Sequence, residues 1–223
     1  MIGPPNKCIS RIITPEQVSA DILSFIREFA LKYLDTNEIE NCIITCPVQF
    51  STEQRRATLS AGYFAGFPNV QLVAEPTAAA IAFSEKFDNL VKGNRYYCVY
   101  DFGGGTFDAS IVHREGNIYR VLNTAGDAFL GGKDIDVAIM EDMTRRIESR
   151  NFKLNPRRML DFKMACKEAK ERLLTMEMTD IDLVFCQWEN EDEVQSMSIS
   201  REQLASICRP IISKTLEVVN SVL

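Results

Sequence analysis

A chain of 223 residues is long enough for one large or two small domains with a real core, and 46% hydrophobic with 25% charged residues excludes an intrinsically disordered chain. The net charge of -6 and isoelectric point near 5.0, with lysines and arginines scattered among acids and no basic stripe interleaved with aromatics, argue against a nucleic-acid partner. No run approaches the roughly 18 apolar residues of a spanning helix, so no membrane association is expected.

Residues 1–13 carry little signal beyond the irregular Gly3-Pro4-Pro5 and an edge strand expected over 8–13. Thr14-Pro15-Glu16-Gln17 then supplies an N-cap, a proline at the first helical position and a Gln three residues on, which together form a capping box. Val18, Ile22, Phe25, Ile26, Phe29 and Tyr33 follow at helical spacing, predicting a core helix. The apolar run 42–46, closed by Pro47, predicts a buried strand. Ser51-Thr52-Glu53-Gln54 is a second capping box, opening a helix toward Phe64 that stops at Gly66 with Pro68 beyond. A strand over 70–74 and a helix from Glu75-Pro76-Thr77 complete a strand–helix–strand–helix run, and a right-handed crossover makes its strands parallel. Pro47 and Glu75 fall at the C-terminal ends of those strands, where sites form in α/β sheets.

Residues 84–95 are polar and mark a boundary before the octet Asp101-Phe102-Gly103-Gly104-Gly105-Thr106-Phe107-Asp108. The octet lies between runs rich in aromatic and β-branched residues, Tyr96-Tyr97-Cys98-Val99-Tyr100 and Ala109-Ser110-Ile111-Val112, that read as strands. Three glycines between strands leave successive N–H groups open to phosphate oxygens, Thr106 adds a hydroxyl, and Asp101 and Asp108 offer carboxylates to a magnesium ion through its waters. A kinase Asp-Phe-Gly is rejected because no His-Arg-Asp loop or Ala-Pro-Glu element accompanies it, and Walker A fails because Gly132 stands where its Lys is needed. A third strand is expected over 118–124. A second glycine cluster, Gly126-Asp127 and Gly131-Gly132, leads into a helix over about 134–148 with Ile135, Ile139 and Met143 on one face. A further helix is expected over 156–174 with Leu160, Met164 and Ala165 inward, then a hairpin of strands 181–186 and 194–199 around the acidic tip 189–192. Ser200-Arg201-Glu202-Gln203 caps a last helix that is still periodic at Leu223.

Seven cysteines, at 8, 42, 46, 98, 166, 186 and 208, form no Cys-x2-Cys doublet, and His113 is the single histidine. Cys42, Cys98 and Cys186 lie in apolar runs and are expected to act as small hydrophobes. The odd count and the lack of an N-terminal apolar run point to a reducing, cytoplasmic compartment.

With these residues in view, the chain resembles the nucleotide-binding domain of the Hsp70 chaperones. The resemblance rests on 47–58 (Pro47-Val48-Gln49-Phe50 and the capping stretch to Thr58), Glu75-Pro76-Thr77-Ala78-Ala79-Ala80-Ile81-Ala82, the glycine octet, and 124–134. It implies an actin-like, ribonuclease H-like α/β fold, incomplete at both ends, with a helical cap subdomain. Residues 10–88 would be a partial first lobe, 89–130 with 208–223 part of the second lobe's base, and 131–207 the cap. It implies ATP or ADP with Mg2+ as cofactors in the complete domain. Asp101, Asp108 and Glu75 would stand around the metal and its waters, Gly103, Gly104, Gly105 and Thr106 around the phosphates, and Glu75, Asp101 and Thr106 would serve hydrolysis. Gly131 and Gly132 match a nucleotide-facing segment, Pro47 and Arg55 a relay to the interdomain surface. J-domain co-chaperones, nucleotide exchange factors and unfolded client proteins are the implied partners.

Departures accompany the match. The family's first phosphate loop and its lysine would precede these residues, and its second adenosine segment would follow them, so nucleotide binding by this chain is expected to be weak or absent. On the adenine-facing helix, Lys170 fits the family, but Lys167 stands where Glu is usual, Glu171 where eukaryotic members carry Arg, and Leu174 where Ser is usual. The reversal at Lys167 and Glu171 reads either as a swapped pair or as a site that no longer selects adenosine. Two functions therefore stand side by side: a piece of an ATP-hydrolysing chaperone domain, and a divergent, non-hydrolysing interaction module. A sugar or acetate kinase is disfavoured by the 47–58 and 75–82 stretches.

Overall fold

The computed structural model describes residues 13–87, 94–150, 153–186 and 195–223. The edge strand expected over 8–13 falls almost wholly outside these residues, as does the acidic tip at 189–192. The chain divides into two compact units, one of residues up to 94 with 115–120, the other of 95–114 with 121–223.

The first unit runs α1 (Pro15–Tyr33), β1 (Asn41–Cys46), α2 (Thr52–Phe64), β2 (Asn69–Ala74), α3 (Glu75–Phe87). Both expected capping boxes form: Thr14 and Gln17 exchange side-chain-to-backbone bonds of 3.4 and 3.2 Å, and Ser51 and Gln54 do so at 3.3 and 2.8 Å. Gly66 ends α2 with φ of 87°, a left-handed conformation that glycine adopts without strain. β1 and β2 pair in parallel, from Asn41 opposite Asn69 to Cys46 opposite Ala74, as the crossover rule requires. A small core of Ala65, Phe67 and Val70 gathers Leu23, Ile39, Cys42, Ile44 and Leu59 around it.

Two expectations about this unit are corrected. α1 does not bury its broad apolar face: Val18, Ile22, Phe25, Ile26, Phe29 and Tyr33 are all exposed. The helix instead meets the unit through the narrow edge of Ala20 and Leu23, with Arg27 lying 6.0 Å over the Phe67 ring. Periodicity finds an apolar stripe but not the element that covers it. β1 is also not a buried strand, since Ile43 is exposed and only Cys46 is fully covered. Among the described residues its sheet has two strands, with apolar cover on one side.

The second unit carries a three-stranded sheet in the order β3 (Arg95–Phe102), β4 (Phe107–Glu115), β5 (Ile118–Asp127). Then come α4 (Gly132–Ser149), a 3-10 turn at Pro156–Arg158, α5 (Met159–Arg172), the antiparallel pair β6 (Met178–Asp182) and β7 (Ser196–Ser200), and α6 (Arg201–Val222). Its larger core is built on Ile139, Met143, Ile147, Phe162, Leu183, Phe185 and Ile199. A smaller one centres on Phe107, Ala109, Leu130 and Val222. α4 buries Ile139 and Met143 as expected, and adds Ile147.

α5 differs from its sequence reading. Its inward face is Phe162, Cys166 and Ala169, whereas Leu160 is 71% exposed and Met164 also points outward. The helix carries two apolar stripes, Leu160 with Met164 and Phe162 with Cys166 and Ala169, and the core takes the second; the α-helix starts at Met159, after a 3-10 turn that Asn155 caps by accepting the Arg157 N–H at 3.1 Å. The hairpin is present but β6 occupies 178–182 instead of 181–186. Cys98 is exposed, in contrast to the small-hydrophobe expectation, while Cys166 is fully buried and its thiol is pushed up to about 12, first by burial and then by the Asp136 charge. Among the described residues no helix is long and apolar enough to cross a membrane, and no group of three or more His, Cys, Asp or Glu side chains is placed to cage a metal.

Candidate functional site

The glycine octet folds as a tight β3–β4 connection, with Asp101 opposite Asp108 and Phe102 opposite Phe107. Phe107 is wholly buried and packs at a tilt against Tyr100 and Phe102, which anchors the loop. Within the loop the Gly103 N–H donates to the Thr106 carbonyl at 2.9 Å. The start of α4 then docks onto it: the N–H groups of Gly132 and Lys133 donate to the carbonyls of Gly103 and Gly104, both at 2.9 Å. The Asp134 carboxylate accepts the Gly131 N–H at 2.8 Å and closes the helix terminus.

Gly131 is required by space, not by backbone angle. A Cβ there would lie 2.6 Å from the Gly105 nitrogen and 2.7 Å from its Cα. Gly104 is the opposite case, with nothing within 4 Å of an added Cβ, so its outer face is open to a ligand. Because α4's first donors are engaged by the loop, anion donors must come from the loop itself. Among the described residues the N–H groups of Gly104 and Gly105 make no bond to a backbone carbonyl.

The charges around the loop have a clear sense. Burial raises the Asp108 carboxyl above the usual aspartate range, and the Asp101 charge raises it further. Two carboxylates in opposed register, whose charges repel, fit a divalent cation that would relieve that repulsion. Among the described residues no all-protein cage surrounds the pair, so a cation there would need waters or ligand oxygens to complete its shell. The Lys133 amine lies 3.8 Å from the position of a Gly105 Cβ and brings a cation to the same loop. Lys133 was legible only as the residue after the second glycine pair.

Lys170 joins this assembly from α5. Its amine is 2.5 Å from the Asp136 carboxylate and donates to the Gly132 carbonyl at 3.4 Å, with Asp136 only 10% exposed. Asp136, one turn into α4, was not singled out from sequence, since a lone acid on a helix gives no local signal of a partner 34 residues away. Gly103, Gly104, Gly105, Thr106, Gly131, Gly132 and Lys170 are thus brought together. Lys167 and Glu171 form an exposed i,i+4 pair at 3.9 Å, and Leu174, beyond the end of α5, is also exposed. Among the described residues none of these three bonds to the glycine loop.

In the first unit, the parallel register sets Pro47, which follows Cys46, and Glu75, which follows Ala74, at the same end of the sheet. Arg55 reaches back from α2 and donates to the carbonyls of Phe50 at 3.1 Å, Pro47 at 3.4 Å and Val48 at 2.8 Å. Pro47 and Arg55, paired in the sequence reading, are therefore in direct contact. Glu75 is the first residue of α3, where a carboxylate is favoured by the helix dipole.

Comparison with known proteins agrees with this arrangement of motifs. The chain is 35% identical over 217 residues to a Heat shock 70 kDa protein of Neurospora crassa, covering 96% of this chain and 33% of that protein. It is 34% identical to a Heat shock cognate HSP70 protein of Trypanosoma brucei brucei (95% and 31%) and 32% identical to Heat shock protein hsp-6 of Caenorhabditis elegans (93% and 32%). The chain spans about a third of the length of these curated relatives. The family described as Hsp70 protein matches residues 6–223, and the chain belongs to the Hsp70 family.

Proposed function

We propose that this chain forms the central part of an Hsp70 nucleotide-binding domain of actin-like fold, which in the whole protein binds and hydrolyses ATP to drive chaperone cycles. The observation that carries the reading is the clasp between Gly103–Gly105 and Gly131–Lys133, which fixes the loop by two backbone bonds and leaves the Gly104 side open to a ligand. Gly104 and Gly105 would donate N–H groups to phosphate oxygens, Thr106 its hydroxyl, and Lys133 a positive charge. Asp101 and Asp108 would hold Mg2+ through its waters. When bound, Mg2+ supplies charge neutralisation on the phosphates, and the chain supplies position, which is most of phosphoryl-transfer catalysis. Residues 10–88 would belong to the first lobe, 89–130 with 208–223 to the base of the second, and 131–207 to the cap that a nucleotide exchange factor grips. Arg55, tied to the Pro47 carbonyl, would carry the nucleotide state toward a J-domain partner and a client-binding domain.

Because only part of a ligand shell is present, Mg-ATP and Mg-ADP should bind in the range of roughly 0.1–1 mM. Titration calorimetry or ligand-observed NMR checks this. Asp101→Ala and Gly131→Val should each weaken binding at least about tenfold, with Leu160→Ala unchanged. The same titration on a form extended at both ends decides the reading: Mg-dependent binding that Asp101→Ala abolishes supports it, and no binding by the extended form leaves a non-hydrolysing interaction module.

A further inference from the structure

α4 buries a stripe of four residues at spacings of three and four, and the first of them is an acid: Asp136, followed by Ile139, Met143 and Ile147. Resting on the nucleotide reading above, we propose that Asp136 is a positioning residue for the phosphate cradle. It holds the Lys170 ammonium against the Gly132 carbonyl, which fixes the segment clasped to the glycine loop and leaves one ammonium proton for a ligand oxygen.

Three observations carry this. The first is where the charge sits. An apolar residue would continue the Ile139–Met143–Ile147 stripe without a desolvation cost, whereas a carboxylate there has to be paired. The Asp136 side chain is only 10% exposed, and its partner comes from another helix, the Lys170 amine at 2.5 Å. Such a pair contributes little net stability over apolar side chains of the same volume, so its use lies in what it orients. The second is what the amine touches. Lys170 also donates to the Gly132 carbonyl at 3.4 Å, a second donor beside the i+4 N–H of the helix ladder. The N–H of that same glycine donates to the Gly103 carbonyl, and the next one, of Lys133, to the Gly104 carbonyl, both at 2.9 Å. One chain of bonds thus runs from α5 through Gly132 to the loop. The third is capacity. An ammonium has three protons, and among the described residues Asp136 and Gly132 take two. The Lys170 side chain is 22% exposed, so the remaining donor is open to an anionic ligand. The surroundings are otherwise sealed. The Cys166 thiol is raised by burial and then by the Asp136 charge, and the Cys208 thiol is raised by burial and eased back by the Lys170 charge. The pair therefore stands where α4, α5 and α6 meet, behind the glycine clasp.

Asp136→Leu combined with Lys170→Met replaces the pair by apolar side chains of similar size and so separates positioning from stability. In this double variant of the 223-residue chain, NMR hydrogen exchange should show the Gly132 and Lys133 amides losing protection at least about tenfold, while the Met143 amide and the urea midpoint hold. In a form extended at both ends, the same double change should raise the Kd for Mg-ADP at least about tenfold. Asp136→Asn alone, which keeps the size but not the charge, should move both readouts in the same direction. The proposal is overturned if the Gly132 and Lys133 amides keep their protection, or if the extended form binds Mg-ADP with an unchanged Kd. It is equally overturned if the urea midpoint falls and protection is lost along the whole of α4, since the pair would then only stabilise the helices. An extended wild-type form that binds no Mg-ADP removes the nucleotide reading, and the exchange result then supports or overturns the clasp by itself.

Discussion

At the scale of single residues, Gly131 and Asp108 make opposite contributions. Gly131→Ala drives a Cβ into the Gly105 backbone at 2.6 Å, a clash that backbone cannot avoid by rotating a side chain. The expected cost is about 1–3 kcal/mol, read as a lower urea midpoint, together with loss of nucleotide affinity. Asp108 has a folded-state pKa raised by burial and by Asp101, so the native chain holds that proton to higher pH than the unfolded chain does. Stability therefore declines as pH rises from about 3.9 through the raised folded pKa, and the deficit persists above it. Asp108→Asn should flatten that slope and raise the urea midpoint at pH 7 while weakening Mg-nucleotide binding. A site residue that costs stability without its cation is what a metal position predicts. Thiol labelling separates two further residues: exposed Cys98 should alkylate first at pH 8, while Cys166, buried and at about 12, should stay unmodified until the chain unfolds.

At the scale of elements, α5 gives the sharpest contrast. Phe162 is wholly buried and stacks on Phe185 at 4.5 Å, so Phe162→Ala should cost about 3–5 kcal/mol, while Leu160→Ala, two residues away, should cost less than about 0.5 kcal/mol. Thermal or urea unfolding distinguishes the two. The sequence reading placed Leu160 inward and assigned no face to Phe162. Caps, turns and the parallel register were legible because each is written within a few residues: Thr14 with Gln17, Ser51 with Gln54, Gly66, and the glycine octet itself. Burial was not legible in the same way, because it depends on which neighbour arrives. α5 carries two apolar stripes of which the core takes only one, and α1 is amphipathic yet has its broad side exposed. The candidate site divides along the same line. Gly103–Gly105 and Gly131–Gly132 were found by composition, but the Lys170–Asp136 tie and the approach of Lys133 to the loop depend on α4 and α5 packing together.

At the scale of the whole molecule, the two units carry unequal cores. Among the described residues the first unit's buried cluster has three members, Ala65, Phe67 and Val70, against thirteen in the larger cluster of the second unit. Local opening free energy follows buried apolar contact, so amides of β1 and β2 should exchange with deuterium well before those of α4 and β7. Exchange mass spectrometry reads this directly, and equal protection across both would count against it. Phe67→Ala should accelerate exchange in β1 and β2 and leave α4 unaffected.

Pro210 gives the second unit a mechanical character. It falls inside α6 between Ile207, the last side chain of that helix on the larger core, and Ile211, the first on the smaller one. Beyond it, Thr215 and the Val222 carbonyl fasten the helix to the sheet through the Tyr100 hydroxyl at 2.6 Å and the Asn123 amide at 3.2 Å. Proline offers no N–H to the Ser206 carbonyl, so the helix is locally compliant between the two cores. Bending there would let the segment bearing β6 and β7 tilt as a lever while the glycine cradle beside the sheet keeps its geometry. Pro210→Ala should stiffen that joint, narrowing the distance distribution between spin labels placed on β7 and on the C-terminal half of α6.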